Sequence, residues 1–469
     1  MNTKPPVNLS TAYLSDLVEI RGPLLIFKSV GEVAYHELVE IHDPAGGTRL
    51  GRVIAADQTY CLVQVFVGTA GLDLNHTRVR FLGETGKLGV SLAMLGRMFN
   101  GMGLPIDGKA PILTDDFRDL NGLPINPVVR AEPDEFIQTG ISAIDGLNTL
   151  ARGQKLPIFT GAGLPGNELA AQIAMQSNVR SQDRKKSEPF AVVFAAMGIT
   201  HREADFYIRQ FEAVGSLARS VIFLNLANDP TIERLLTPRL ALTTAEYLAF
   251  THHRHVLVIL TDMTNYCEAL REVSIAREEL PGRRGFPGNM YSELASVYER
   301  AGRINGQDGS VTQLILLTMP DDDITHPIAD LTGYITEGQI VLSRALHQKG
   351  IYPPIDVLPS LSRLMNAAIG EGKTRSDHRV LADQLYSLYA QGNDLRQLVA
   401  IVGEGALSKE ESQVLAFANE FEHLFIHQHQ TSRTVEDTLN LAWSLLGMVP
   451  QSMLKRIPEA YLNQYLPAE

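Results

Sequence analysis

From about Leu14 to Gly83, apolar and polar positions alternate in short runs. Leu17–Phe27 is broken at Gly22-Pro23, and Arg49–Ala56, Tyr60–Val67 and Thr77–Phe81 follow with Gly, Pro and Asp turns between them. A period of two over such short, evenly spaced spans predicts a small β-barrel or sandwich over residues 1–84. A Gly/Pro-rich connector, Gly96–Gly108, comes next. The pattern then changes to near-continuous apolar runs at Leu156–Phe159, Phe190–Met197, Val221–Leu226, Val256–Thr261 and Val311–Met319, with amphipathic stretches between. Buried strands alternating with helices predict a parallel sheet covered on both faces, across 85–370. From about Ser376 the period becomes three to four, at Asp377–Ala390, Leu395–Val402, Lys409–His427 and Thr434–Leu446. A C-terminal helical domain over 371–469 is expected.

The first of the apolar runs in the middle region feeds a glycine-rich turn, Gly161-Ala-Gly163-Leu-Pro-Gly166, and then a helical pattern. Strand, loop and helix in this order form the frame of a phosphate-binding P-loop, in which a lysine and a hydroxyl follow the last glycine. Here Asn167 and Glu168 stand in those two places. The loop shape is kept and the charges that stabilise phosphoryl transfer are missing. A carboxylate about 5 Å from a phosphate charge, at an effective dielectric of about 20, repels it by roughly 3 kcal/mol. The loop amides and the helix dipole still attract anions, so this site is expected to be weak or empty and unable to hydrolyse ATP. Ligands of such sheets collect beyond the carboxyl ends of the strands, where Gly161, Gly198, Asp262 and Asp321 all fall. Asp262 ends the run His255–Thr261 and reads either as a Walker-B acid or as a helix N-cap. Ile199, after Gly198, cannot activate a water.

The chain has 469 residues, 45% of them hydrophobic, with a net charge of −12. That size holds two or three domains, and that charge argues against nucleic acid as a partner. Two cysteines, Cys61 and Cys267, far apart in sequence, read as reduced thiols. The start, MNTKPPVNLS, lacks the apolar core of a signal peptide, and no run is long enough to cross a bilayer. His252, His253 and His255 crowd one segment, and His423, His427 and His429 another; neither has the neighbours that complete a metal set, and they read as helix-end and solvent-face residues. Arg180–Lys186 reads as a solvated loop.

Five blocks then align the chain with a known family. They are residues 136–174 (FIQTGISAIDGLNTLARGQKLPIFTGAGLPGNELAAQIA), 225–249, 255–291, 317–340 (LTMPDDDITHPIADLTGYITEGQI) and 352–365 (YPPIDVLPSLSRLM). Along nearly its whole length the chain resembles the non-catalytic B subunit of V-type and A-type rotary ATPases, related to the ring subunits of F-type ATP synthases. The resemblance implies an N-terminal β-barrel, a degenerate P-loop-type α/β nucleotide-binding domain and a C-terminal helical bundle.

It also implies a partner: a catalytic A subunit alternating with this chain in a hexamer, with ATP or ADP and Mg at one kind of interface. Central-stalk and peripheral-stalk subunits would complete the complex. It would couple to a membrane ion-translocating sector for H+ or Na+, on the cytoplasmic face of the membrane. Arg363, in Leu358-Pro-Ser-Leu-Ser-Arg363, is implied as an arginine finger reaching the neighbour's γ-phosphate, where a planar, permanently charged fork suits the transferring phosphoryl group. Ser360 and Tyr334 are implied as further interface residues. At the place of Gly166 many relatives carry histidine, and glycine lets a backbone approach a phosphate more closely. Two competing readings are a self-sufficient P-loop ATPase, which the absent lysine, Mg hydroxyl and base oppose, and a nucleotide-sensing scaffold.

Overall fold

Alternating burial organises the N-terminal region. Strands β1 (Leu17–Arg21), β2 (Leu24–Lys28), β3 (Glu37–His42), β4 (Thr48–Ala56), β5 (Tyr60–Val65) and β6 (Arg78–Thr85) form one antiparallel sheet in the order β1-β2-β5-β4-β3-β6. In β3, Glu37, Val39 and Ile41 point inward while Leu38, Glu40 and His42 are half-buried. The barrel encloses its own core of Leu25, Phe27, Val39, Ile41, Val53, Cys61, Val63, Val65 and Val79. The computed structural model describes residues 16–28, 33–122, 124–179, 188–213 and 215–466. The N-terminal segment and the Arg180–Lys186 run weighed above lie outside the described residues.

The central sheet has eight strands: β7 (Arg97–Asn100), β8 (Lys155–Gly161), β9 (Phe190–Ile199), β10 (Ser220–Leu226), β11 (His255–Thr261), β12 (Ser310–Met319), β13 (Gly338–Leu342) and β14 (Ile355–Ser362). Their order is β14-β13-β8-β12-β11-β9-β10-β7. All run parallel except β14, which lies antiparallel to β13. Every residue of β8 and β11 is buried, as expected for strands covered on both faces. The connector Gly96–Gly108 is not only a linker. Met98 and Phe99 are buried, and Phe99 stacks on Phe223 with ring centroids 5.2 Å apart, so the segment joins the sheet as its edge strand.

Helices α1 (Gly166–Gln176) and α2 (His201–Ala213) pack on one face of the sheet, and α3 (Thr231–Glu246) and α4 (Met263–Ala276) on the other. The C-terminal domain is built on α5 (His378–Val402), α6 (Lys409–Glu420) and α7 (Val435–Leu446). The two expected segments Asp377–Ala390 and Leu395–Val402 are a single helix. Gly392 is kept inside it because a β-carbon there would lie 2.3 Å from Ala418 Cβ on α6. The two helices meet backbone to side chain at that point, and a helix can carry the propensity penalty of one interior glycine. After α6 the chain widens into a π turn over Phe421–Ile426, where Phe421 and Phe425 stack with centroids 4.9 Å apart.

One hydrophobic core joins the α1/α2 face of the sheet to the helical domain, running from Ile141, Ile144 and Leu169 to Leu381, Phe417, Leu439 and Trp443. Buried polar contacts reinforce it. The Ser142 amide donates to Gln428 Oε1 at 2.8 Å, Gln428 Nε2 donates to the Gly140 carbonyl at 2.8 Å, and His378 Nε2 lies 3.0 Å from the Gly146 carbonyl. Trp443 Nε1 donates to the buried carboxylate of Asp377 at 2.6 Å. Beside them Asp145, fully buried, accepts from the Thr139 amide (2.9 Å), the Thr139 hydroxyl (2.7 Å) and the Gly140 amide (2.8 Å).

Asp145→Ala strands these three donors away from water, and each unsatisfied group costs about 1–3 kcal/mol. Denaturant unfolding should show a loss of about 3–5 kcal/mol for Asp145→Ala. Asp145→Asn, which keeps one acceptor oxygen, should lose less than half of that.

Candidate functional site

The turn between β8 and α1 opens onto a cleft of about 780 Å³ at the carboxyl rim of the sheet. Its shape comes from local hydrogen bonds: the Leu164 amide donates to the Gly161 carbonyl (3.1 Å) and the Gly166 amide to the Leu164 carbonyl (2.8 Å). Gly163 sits at the exposed tip with φ +78°. Gly166 begins α1 directly against the strand end, where an added β-carbon would lie 3.0–3.1 Å from three side-chain atoms of Thr160. A histidine there would have to push Thr160 aside by a few tenths of an ångström.

The two residues standing where a P-loop has its charge-bearing pair are placed differently from one another. Asn167 Nδ2 donates to Glu203 Oε1 at 2.8 Å, and Asn167 Oδ1 accepts from the Thr261 hydroxyl at 3.3 Å. Both ends of the amide are therefore used inside the chain. Glu168 is exposed and lines the cleft. Glu203 also lines the cleft, and its second oxygen accepts from the Thr200 amide and hydroxyl, each at 2.8 Å, as in a helix capping box. Ile199 is 3% exposed and contributes only a hydrocarbon wall.

Asp262 faces the same cleft and serves as the N-cap of α4. One oxygen accepts from the Thr264 amide (2.9 Å) and the Thr318 amide (3.1 Å), and the other from the Thr318 hydroxyl. Burial pushes its carboxyl above the usual range, against these donors. The capping reading is the one the geometry realises. Beside the loop, Arg344 holds Asp322 through two bonds (2.7 and 2.9 Å) and donates to the Ala162 carbonyl at 2.9 Å. Asp321, expected at this rim, precedes that ion pair in a short 3-10 turn, with Gly198 on β9 meeting Asn265 and Arg234. Among the residues lining the cleft, carboxylates (Glu168, Glu203, Asp205, Asp262) outnumber guanidiniums (Arg202, Arg209) by four to two. Such a rim is more acidic than basic, and no lysine among the described residues lines it.

Sequence reasoning did not pick out Glu203, Asp322 or Arg344. Thr200-x-x-Glu203 was legible as a capping spacing. The Asp322–Arg344 pair joins residues twenty-two apart and had no local signal.

Arg363 lies at the opposite rim. Ser362 pairs with Gly338 at the start of β13, and Ile340 pairs with Ile158, so Gly338 is level with Leu156 on β8. Gly161 is five residues further along, about 16 Å at 3.3 Å per residue, and two strand spacings add about 10 Å sideways. The result is a separation of about 19 Å, beyond the reach of a side chain. Arg363 is exposed, its amide donates to the Glu337 carbonyl (3.0 Å), and its guanidinium makes a single long contact to the Thr336 carbonyl (3.4 Å). No carboxylate of a described residue pairs with it. Ser360 is 6% exposed, and its hydroxyl is used within the chain, donating to the Asp356 carbonyl and accepting from the Val341 amide. It braces β14. Tyr334 is 79% exposed near Thr336, edge-on to Tyr291 with centroids 6.4 Å apart.

The histidine segments differ from expectation in one respect. His255 is buried at the start of β11 beside Arg152 and Ser310, and burial lowers its pKa to about 4. Among the described residues no group of three or more His, Cys, Asp and Glu is arranged to hold a metal ion.

Comparison with known proteins matches this anatomy domain by domain. The beta-barrel domain of the ATP synthase alpha/beta family covers residues 17–83, the nucleotide-binding domain of that family residues 140–362, and the C-terminal domain of V and A type ATP synthase residues 367–466. The V-type ATP synthase beta chains of two strains of Thermus thermophilus are each 60% identical over 449 residues, spanning 95% of this chain and 94% of theirs. The solved structure of the ATP synthase subunit NeqB from Nanoarcheaum equitans is 40% identical, covers 90% of this chain and 98% of its own, and superposes with a TM-score of 0.71. With barrel, nucleotide-binding domain and C-terminal domain all matched, the chain belongs to the ATP synthase alpha/beta family, as a subunit of the V/A-type rotary ATPases.

Proposed function

We propose that this chain is the non-catalytic subunit of the rotary head, alternating with a catalytic partner in a hexamer and completing that partner's ATP site with Arg363. The observation that carries the reading is the separation of the two rims. The chain's own loop has Asn167 and Glu168 in place of a lysine and a Mg-binding hydroxyl, while an exposed guanidinium that no carboxylate of a described residue pairs stands about 19 Å away at the other rim. An arginine so placed cannot serve its own loop and is presented outward. Its planar fork is suited to the charge that develops on a neighbour's phosphoryl oxygens. Tyr334 and Leu361, both exposed at this rim, supply apolar area for the contact. ATP or ADP with Mg then belongs to the interface, and coupling to H+ or Na+ movement belongs to the assembled complex. Among the described residues no helix is long and apolar enough to cross a membrane, so in this reading the chain meets the membrane sector through stalk subunits.

The purified chain alone should hydrolyse no Mg-ATP above background in a phosphate-release assay. Robust turnover would return the self-sufficient ATPase reading.

Asn167→Lys combined with Glu168→Thr should tighten Mg-ATP binding to the isolated chain by about tenfold, since it reverses the local sign of charge. Adding Glu203→Gln should tighten it further, because Glu203 otherwise captures the new ammonium. Isothermal titration of the three proteins checks both steps. Tight binding by the unmodified chain would contradict this account of the loop.

Arg363→Ala should lower turnover per reconstituted ring by about 10³-fold or more while leaving assembly intact. Arg363→Lys should recover little of it, because an ammonium lacks the bidentate fork. Gel filtration and turnover measured on the same preparations separate this from a structural salt bridge, which predicts poor assembly and normal activity per ring.

A further inference from the structure

The seam between the barrel and the nucleotide-binding domain holds more positive charge than it neutralises. A cavity of about 40 Å³ lies there, lined by Arg52 on β4, Gln64 on β5, Arg239 on α3, Arg277 at the end of α4, and Glu279 and Glu293. A smaller cavity, about 20 Å³, shares Arg52 and Arg239 and reaches His36. Arg239 pairs with Glu293 at 3.0 Å and Arg277 with Glu279 at 3.1 Å. Arg52 pairs with no carboxylate of a described residue; its Nε donates to the neutral Gln64 Oε1 at 3.1 Å. Three guanidiniums therefore face two carboxylates, and one positive charge is left over in a seam where Gln64 is fully buried and Arg52 and Arg277 are half-buried.

The unpartnered polar atoms point the same way. Gln64 is 0% exposed, and its Nε2 has no hydrogen-bond partner; Arg277 Nε, also buried, has none. Both can only donate, so what they lack is an acceptor. Burial and the neighbouring Arg239 guanidinium hold the pKa of Arg52 down to about 10, as expected for a guanidinium without a counter-charge. A water molecule would accept these hydrogen bonds but would leave the charge uncompensated. The space admits about one or two water-sized bodies, which excludes nucleotides and other large anions.

We propose that this cavity binds a single small inorganic anion of halide size, chloride under ordinary conditions, held by Arg52, Gln64 and Arg277. Arg52 and Gln64 are cross-strand partners in the barrel, and Arg277 and Arg239 belong to the nucleotide-binding domain. The anion therefore acts as a counter-ion shared between two domains, and its presence fixes how the barrel sits on the sheet. This is separate from the cleft and from Arg363.

The test uses the full chain. Crystals soaked in bromide in place of chloride should give an anomalous difference peak within contact distance of Arg52, Gln64 and Arg277. In solution, at constant ionic strength with gluconate as the replacing anion, raising chloride to about 0.3 M should raise the Tm by about 2 °C. Gln64→Glu, which places a fixed carboxylate in the cavity, should abolish that dependence while keeping the Tm in gluconate at or above that of the unmodified chain in chloride. A cavity holding only water, with no bromide peak, overturns the proposal. So does a bromide peak with no halide-specific shift in Tm, which would mean an adventitious ion only, or a halide shift that Gln64→Glu leaves unchanged.

Discussion

Strand direction is the constraint on which the rest of the molecule depends. A parallel sheet covered by helices on both faces satisfies its backbone groups inside the ladder and leaves its polar chemistry to two rims. Seven strands run one way and send the glycine loop, Asp262 and the Asp322–Arg344 pair to the carboxyl rim. The eighth, β14, reverses against β13 and carries the chain back to the other rim, where it ends beside Arg363. Had β14 continued parallel, that arginine would face its own loop. The separation of the loop cleft from an outward-facing guanidinium follows from this single reversal.

Much of this was legible in the sequence. Apolar runs bounded by glycine and acid gave five of the eight central strands within one or two residues, because strands buried on both faces tolerate almost no polar residue, while Gly338–Leu342 and Ile355–Ser362 carried no such run. The loop's departure from the P-loop pattern was readable from Asn167 and Glu168 alone, since the identity of a residue needs no fold to be read. What Asn167 does instead was not readable. Its bonds to Glu203 and Thr261 span thirty-six and ninety-four residues and exist only because β8, β11 and β9 end on the same rim. The strand Arg97–Asn100 was concealed by a Gly/Pro-rich surrounding, and only packing against Phe223 makes it part of the sheet. The break expected near Gly392 was a similar case: local propensity signalled a turn, and close approach to Ala418 kept the helix whole.

The two halves of the carboxyl rim also explain why the sequence could offer both a Walker-B acid and an N-cap for Asp262. The same carboxylate position serves either purpose, and what separates them is whether its lone pairs are free. In this chain Thr264 and Thr318 occupy them. A carboxylate engaged in this way holds the strand-to-helix geometry together.

The core that runs from Ile144 to Trp443 bears on what counts as a separable piece. The helical domain follows the sheet domain in sequence, yet its inner surface is the continuation of the same apolar interior, fastened by Gln428, His378 and Trp443. A nick in the turn at Gly370–Thr374 therefore yields two polypeptides that stay associated, each supplying half of one interior. The barrel differs, because it has an interior of its own and meets its neighbour through charged groups and a few apolar ones, Leu38 and Phe66 among them. The chain has three domains by sequence, and two of them share one interior.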